Sequence, residues 1–123
     1  MHWLAVALGG ALGSVVRFAA VSYLTPLLNL RFPVGTFTVN LIGSFFIGVA
    51  YVVLVEKAAP SEWQLFFMTG ILGGFTTFSA FSLDTMQLWQ SGHGSLALLY
   101  VVGSVAMCLV AVAAGVLLSQ KLF

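Results

Sequence analysis

Residues 70–82 read Gly-Ile-Leu-Gly-Gly-Phe-Thr-Thr-Phe-Ser-Ala-Phe-Ser, inside an apolar segment long enough to cross a bilayer. Gly73-Gly74 followed by Thr76-Thr77 is poor material for an uninterrupted helix, because glycine loses much backbone entropy there and threonine is β-branched. A break is therefore expected over residues 73–77. At membrane depth it would free N–H and C=O groups whose unpaired burial costs on the order of several kcal/mol each. Such an opening must line a cavity, hold an ion or pack against another chain, as the discontinuous helices of transporters do. Phe75, Phe78 and Phe81 recur every three residues and so share one face of whatever helix resumes, which suits either a packed interface or a lined passage.

Composition sets the solvent in which this stretch works. The chain has 123 residues, 61% hydrophobic and only 6% charged, with a mean hydropathy of +1.13. A water-soluble domain of this size needs far more charge to cover its surface, so the sequence describes an integral membrane protein in contact with lipid. The formal net charge of +1 creates no field that would recruit nucleic acid. Cys108 is the one cysteine and has no intrachain disulfide partner. The start, Met-His-Trp-Leu-Ala, has no basic n-region and reads as part of a first helix rather than a signal peptide.

In chain order, residues 3–24 form the first apolar segment, which Thr25-Pro26 is expected to end. A second runs over 34–55 behind Pro33, with Glu56-Lys57 at its exit. Pro60-Ser61-Glu62 reads as a helix entry with Ser61 as cap, and Trp63 suits the membrane interface. The third crossing, 62–90, is longer than a straight span needs and carries the break. The fourth covers 95–118. The fold class is all-α, a single membrane domain of four helices with the third broken and both termini on one side.

The positive charges leave orientation undecided. Lys57 and Lys121 lie on the side of the termini, while Arg31 and the half of helix one bearing Arg17 lie on the other. This tie is compatible with insertion in both directions and hence with an antiparallel pair, although a partner or helix hydrophobicity could set topology instead. Gly9-Gly10, Gly13, Ser14, Gly43, Ser44, Gly48, Gly103-Ser104 and Gly115 allow close helix contacts. Four short crossings enclose little interior, so a homodimer is the economical way to build a polar pathway.

Three polar residues fall where solvation is expensive. Arg17 can snorkel to the headgroups or close a vestibule. Asn40 has no long stem with which to reach water, so it makes either an interhelical hydrogen bond or a ligand contact. Asp84 pairs with a cation or sits near the interface.

Three motifs resemble the small membrane proteins called Fluc or CrcB, a family of passive fluoride channels. Gly9-Gly10-x-x-Gly13-x-x-x-Arg17 resembles the first-helix signature of that family, and Gly35-Thr36-x-x-x-Asn40-x-x-Gly43 resembles the second. Gly70-x-x-Gly73-Gly74-Phe75-Thr76-Thr77-Phe78-Ser79-x-Phe81-Ser82 is similar to the third, and its length makes it the most specific. The likeness extends over nearly the whole chain.

The resemblance implies an antiparallel, dual-topology homodimer in a bacterial inner membrane, with two fluoride pathways that export the ion and lower cytoplasmic fluoride. It carries the pore asparagine onto Asn40, the two pore phenylalanines onto Phe78 and Phe81, and the basic vestibule residue onto Arg17. A structural sodium ion (Na+) at the dimer two-fold would be held by carbonyls of Gly73 and Thr76 from each chain. A polar track on the fourth helix falls on Tyr100, Ser104 and Cys108, the last with a thiol where a hydroxyl is more usual.

The residue types suit that chemistry. Fluoride is small and strongly hydrated, so its pathway must supply donors without a countercharge that traps it. Asn40 supplies N–H groups, Thr77, Ser79 and Ser82 can supply hydroxyls, and a phenyl ring presents a positive edge to an anion. Phenylalanines three apart also serve as plain packing. Two other functions fit four helices. A small multidrug exporter needs an acidic residue in helix one, where 3–24 carries only Arg17; a non-transporting assembly subunit leaves Asn40 and the phenylalanine pair without a purpose. An enzyme is not expected, since His2 and His93 are peripheral and no nucleophile–base set or metal-ligand cluster is present.

Overall fold

A computed structural model of the chain describes residues 1–28 and 31–123. Helix α1 spans His2–Leu28. Helix α2 spans Val34–Glu56, its last stretch Tyr51–Glu56 widened to π-helical geometry. Helix α3 covers residues 61–75, with a π-helical centre at Leu65–Leu72. Helix α4 is Phe78–Gln90 and α5 is Gly94–Leu122. With α3 and α4 counted as one crossing, four segments are long and apolar enough to span a membrane.

Two local expectations change at the helix ends. Helical geometry passes through Pro26 and is described as far as Leu28 rather than ending at Thr25-Pro26, because a proline removes one donor but need not halt the turn it sits in. At the start of α3, Pro60 occupies the cap position and makes no side-chain cap bond. Ser61 is already helical, and its hydroxyl lies 3.2 Å from His2 Nε2 instead of capping the helix.

Glycine decides which helices touch. A β-carbon on Gly70 would lie 2.9 Å from the Gly9 Cα, and one on Gly74 would lie 2.7 Å from the Gly10 carbonyl oxygen. Gly9 and Gly13 in turn meet the Phe66 and Ile71 carbonyls. Two small-x-x-x-small pairs thus bring α1 and α3 into backbone contact, where dispersion replaces the hydrophobic drive that lipid cannot provide. A second seam joins α2 and α5, with Gly48 against Val112 and Gly115 against Phe45.

The third crossing changes neighbour part-way. Residues 61–75 lie mainly against α1, whereas α4 lies mainly against α5. The core beside α4 is small: Phe81, Leu88, Ala97 and Tyr100 form it, with Phe32 and Phe37 packed alongside. Trp3, Phe18, Leu98, Val102 and Leu109 point outward, as lipid-facing residues do.

Candidate functional site

The change of neighbour happens at two residues. Thr76 (φ −90°, ψ 159°) and Thr77 (φ −152°, ψ 117°) are extended, between a helix that ends at Phe75 and one that starts at Phe78. Gly73 keeps helical angles (φ −63°, ψ −38°). The glycine pair is therefore not where the backbone leaves the helix. Gly74 is consumed by packing on α1 and stays within the helix that ends at Phe75.

What opens the backbone is a side chain from another helix. Asn40 on α2 donates from Nδ2 to the Thr77 carbonyl at 3.0 Å and accepts the Thr77 N–H on Oδ1 at 2.7 Å. An extended residue has both groups free, and a carboxamide is the side chain that can satisfy both at once. Thr76 closes the end of α3, its N–H and hydroxyl both donating to the Leu72 carbonyl at 3.0 and 2.9 Å. The Thr77 hydroxyl opens α4 by accepting the Ala80 N–H at 3.1 Å, an ordinary N-cap bond. Gly43, one turn beyond Asn40, leaves the space that the Thr76 methyl fills.

These residues border a groove of about 340 Å³ between α2, α3, α4 and α5. Of the residues singled out in the sequence, Asn40, Gly73, Thr76, Thr77, Phe78, Phe81 and Ser104 line it, and Cys108 joins them. Among the described residues no Asp, Glu, Lys, Arg or His lines it. The two phenylalanines differ sharply: Phe78 is 77% exposed and Phe81 only 8%, although their ring centroids are 5.5 Å apart. One Asn40 amide hydrogen is used by Thr77 and the other has no acceptor among the described residues. Ser104 Oγ is buried and has no hydrogen-bond partner among the described residues. The groove thus offers neutral donors, an aromatic wall and no fixed charge.

Comparison with known proteins gives the family. The family described as "CrcB-like protein, Camphor Resistance (CrcB)" matches residues 4–116. The chain belongs to the CrcB family. A relative from Saccharophagus degradans named "Fluoride-specific ion channel FluC" is 52% identical over 121 residues, covering 98% of this chain and 90% of the relative. Relatives with the same name from Paracoccus denitrificans and Hahella chejuensis are 47% and 45% identical, covering 98% and 97% of this chain and 96% and 94% of their own.

Four other members of the expected set lie off the groove. Ser79 and Ser82 are exposed on α4, where the Ser82 hydroxyl turns back to the Phe78 carbonyl at 3.0 Å. Tyr100 stands behind Phe81 with ring centroids 5.0 Å apart, fully buried. Arg17 is half-buried on α1. Sequence reasoning missed the partner of Asp84, which accepts the Tyr100 hydroxyl at 3.2 Å. An acidic residue and a tyrosine on successive membrane helices were the available signal, but their facing depends on the turn at 91–93. Among the described residues no three His, Cys, Asp or Glu side chains converge as metal ligands.

Proposed function

We propose that this chain is a passive, fluoride-selective channel that lets fluoride leave the cell across a bacterial inner membrane. The observation that carries the reading is the groove itself, which joins Asn40, Phe78, Phe81 and Ser104 in a chain whose relatives are named for fluoride. Asn40 holds the interruption open with one amide hydrogen and turns the other to the ion. Phe78 and Phe81 offer ring edges, which attract an anion weakly enough to release it. Ser104 supplies a hydroxyl that none of the described residues uses, while Arg17 raises anion concentration at a vestibule.

The groove is open along Phe78, and closing it calls for a second copy. An antiparallel homodimer suits the balanced distribution of Lys57, Lys121, Arg31 and Arg17. A structural sodium ion at the two-fold fits the same region. A helix ending at Phe75 leaves its last carbonyls without helical donors, and the face of Gly73 is open, the Met68 oxygen at 3.6 Å being the one atom near its absent β-carbon. Gly73 and Thr76 from two chains would offer four neutral oxygens, suited to a hard monovalent cation. Bound there, the ion supplies fixed positive charge beside the pathway.

The test is fluoride efflux from liposomes containing the purified chain, followed with an ion-selective electrode and compared with chloride. Rapid fluoride release with little chloride release is expected; equal release of both, or none, rejects the reading. Cysteine tags near Arg31 and Lys57 should each label from both membrane faces, and labelling from one face only would sink the antiparallel arrangement.

A further inference from the structure

Away from the groove, a second cavity of about 400 Å³ lies where the chain leaves α4, lined by Arg31, Pro33, Asp84, Gln87, Ser91 and His93. His93 is placed between two partners. Its Nε2 faces Arg31 Nη1, and its Nδ1 lies 2.9 Å from Ser91 Oγ. A guanidinium can only donate, so Nε2 must be the bare acceptor and the ring hydrogen must sit on Nδ1. That hydrogen goes to Ser91 Oγ, whose own hydrogen goes to the Leu88 carbonyl at 3.1 Å. Every donor in this relay has an acceptor when the imidazole is neutral. Adding one proton breaks one link: Nε2 becomes a donor and Arg31 loses its acceptor.

The charges around the imidazole decide what replaces that link. Arg31 approaches from the segment before α2, Asp84 from α4, and Tyr100 from α5 by donating to Asp84. With His93 neutral, Arg31 and Asp84 cancel formally. With His93 protonated, the wall carries a net formal charge of +1 and two facing cationic donors; Asp84, already accepting the Tyr100 hydroxyl, balances one of them, and a small anion seated between Arg31 and His93 would balance the other.

We propose that Arg31 and His93 form a proton-operated anion site at this mouth, which loads a small hard anion, fluoride, when His93 is protonated. The inference rests on the channel reading and adds a pH dependence to it. Imidazole is the side chain that ordinarily changes charge between pH 5 and 8, so acidification on the side of this mouth should speed loading when fluoride is scarce.

The test compares the wild-type chain with His93→Gln, which removes the titration without altering a fixed charge on which membrane orientation depends. Efflux from liposomes at low fluoride should rise about threefold more in the wild-type chain than in His93→Gln between pH 7.5 and 5.5. The variant serves as baseline because undissociated hydrogen fluoride crosses lipid unaided. In micelles of the His2→Gln chain, which leaves a single imidazole, millimolar fluoride should move the NMR titration midpoint of His93 upward by about 0.5 pH unit, since an anion that binds the protonated form favours it. Equal pH ratios in the two chains, or a midpoint that ignores fluoride, overturns the inference while efflux at pH 7.5 still supports the channel. Absence of efflux at every pH rejects the channel instead, and the midpoint alone then decides whether an anion site exists.

Discussion

The α1–α3 seam and the groove around Thr77 are built from the same stretch of sequence and solve opposite problems. In the seam, glycines bring two backbones so close that no side chain or ligand fits, and the chain stays helical through it, α on one side and π-helical at Leu65–Leu72 on the other. In the groove, one crossing helix separates from its neighbour, two residues leave the helix, and a side chain 37 positions away takes over the hydrogen bonds of one of them, Thr77. The first arrangement gives up polarity for contact; the second gives up contact for polar atoms facing a space. The difference teaches that the seam fixes where the opening can occur. Residues 61–75 cannot shift along α1, so the change of neighbour has to be absorbed at Thr76 and Thr77.

The largest effect is therefore expected where function is absent. Gly74→Val forces a branched side chain against the Gly10 carbonyl and Ser14, and overpacking at backbone contact should cost about 3 kcal/mol or more. Thermal unfolding in detergent, read by size exclusion, should show most of the protein lost. If the variant instead folds normally and loses only flux, the seam is part of the pathway and the comparison fails.

Asn40→Asp comes next and strikes the other region. The carboxylate still accepts the Thr77 N–H but places a second oxygen against the Thr77 carbonyl that Nδ2 now serves. Breaking that bracket should cost about 2 kcal/mol in stability, and an ionised carboxylate repels the permeant anion. Fluoride efflux per folded protein should fall by at least about tenfold. A folded variant with full flux would show that the bracket is structural alone.

Much of this was legible in the sequence, and the reasons for the rest are physical. Hydropathy and proline positions gave four crossings because a bilayer demands about 20 apolar residues each time. The interruption was expected over 73–77 from glycine's weak helix propensity, whereas the extended residues are Thr76 and Thr77. Propensity reports what a backbone tolerates, while the opening is held by Asn40, whose register against Thr77 depends on how α2 and α3 pack. The phenylalanine spacing had the same limit. Phe75 precedes the interruption and so does not share a helix with Phe78 and Phe81. The relay through Ser91, His93 and Arg31 needs the turn after α4, which no periodicity encodes.

The phenylalanine pair sharpens the comparison at smaller magnitude. Phe81 packs on Tyr100 and is buried, so Phe81→Ile should cost about 1.5 kcal/mol and reduce flux as well. Phe78 is 77% exposed in the single chain, so Phe78→Ile should change the stability of that fold by no more than about 0.5 kcal/mol. If Phe78 lines a pathway, its flux should nonetheless fall about as far as that of Phe81→Ile. Flux that tracks stability across the two variants would assign both rings to packing.

Ser104→Ala carries the smallest change and the finest distinction. A buried hydroxyl without a partner destabilises its own fold, and a serine in a helix can ordinarily turn to the carbonyl four residues earlier. Ser104 is 5% exposed and leaves that option unused, although it lines the groove with Asn40. Replacing it with alanine should leave stability unchanged or raise it by up to about 1 kcal/mol, while fluoride efflux falls a few-fold as one donor is removed. Stability and transport then move in opposite directions, which a packing residue cannot produce. If stability instead drops in the assembled protein, the hydroxyl has a partner in the proposed second chain, and its place is in the subunit contact rather than beside the ion.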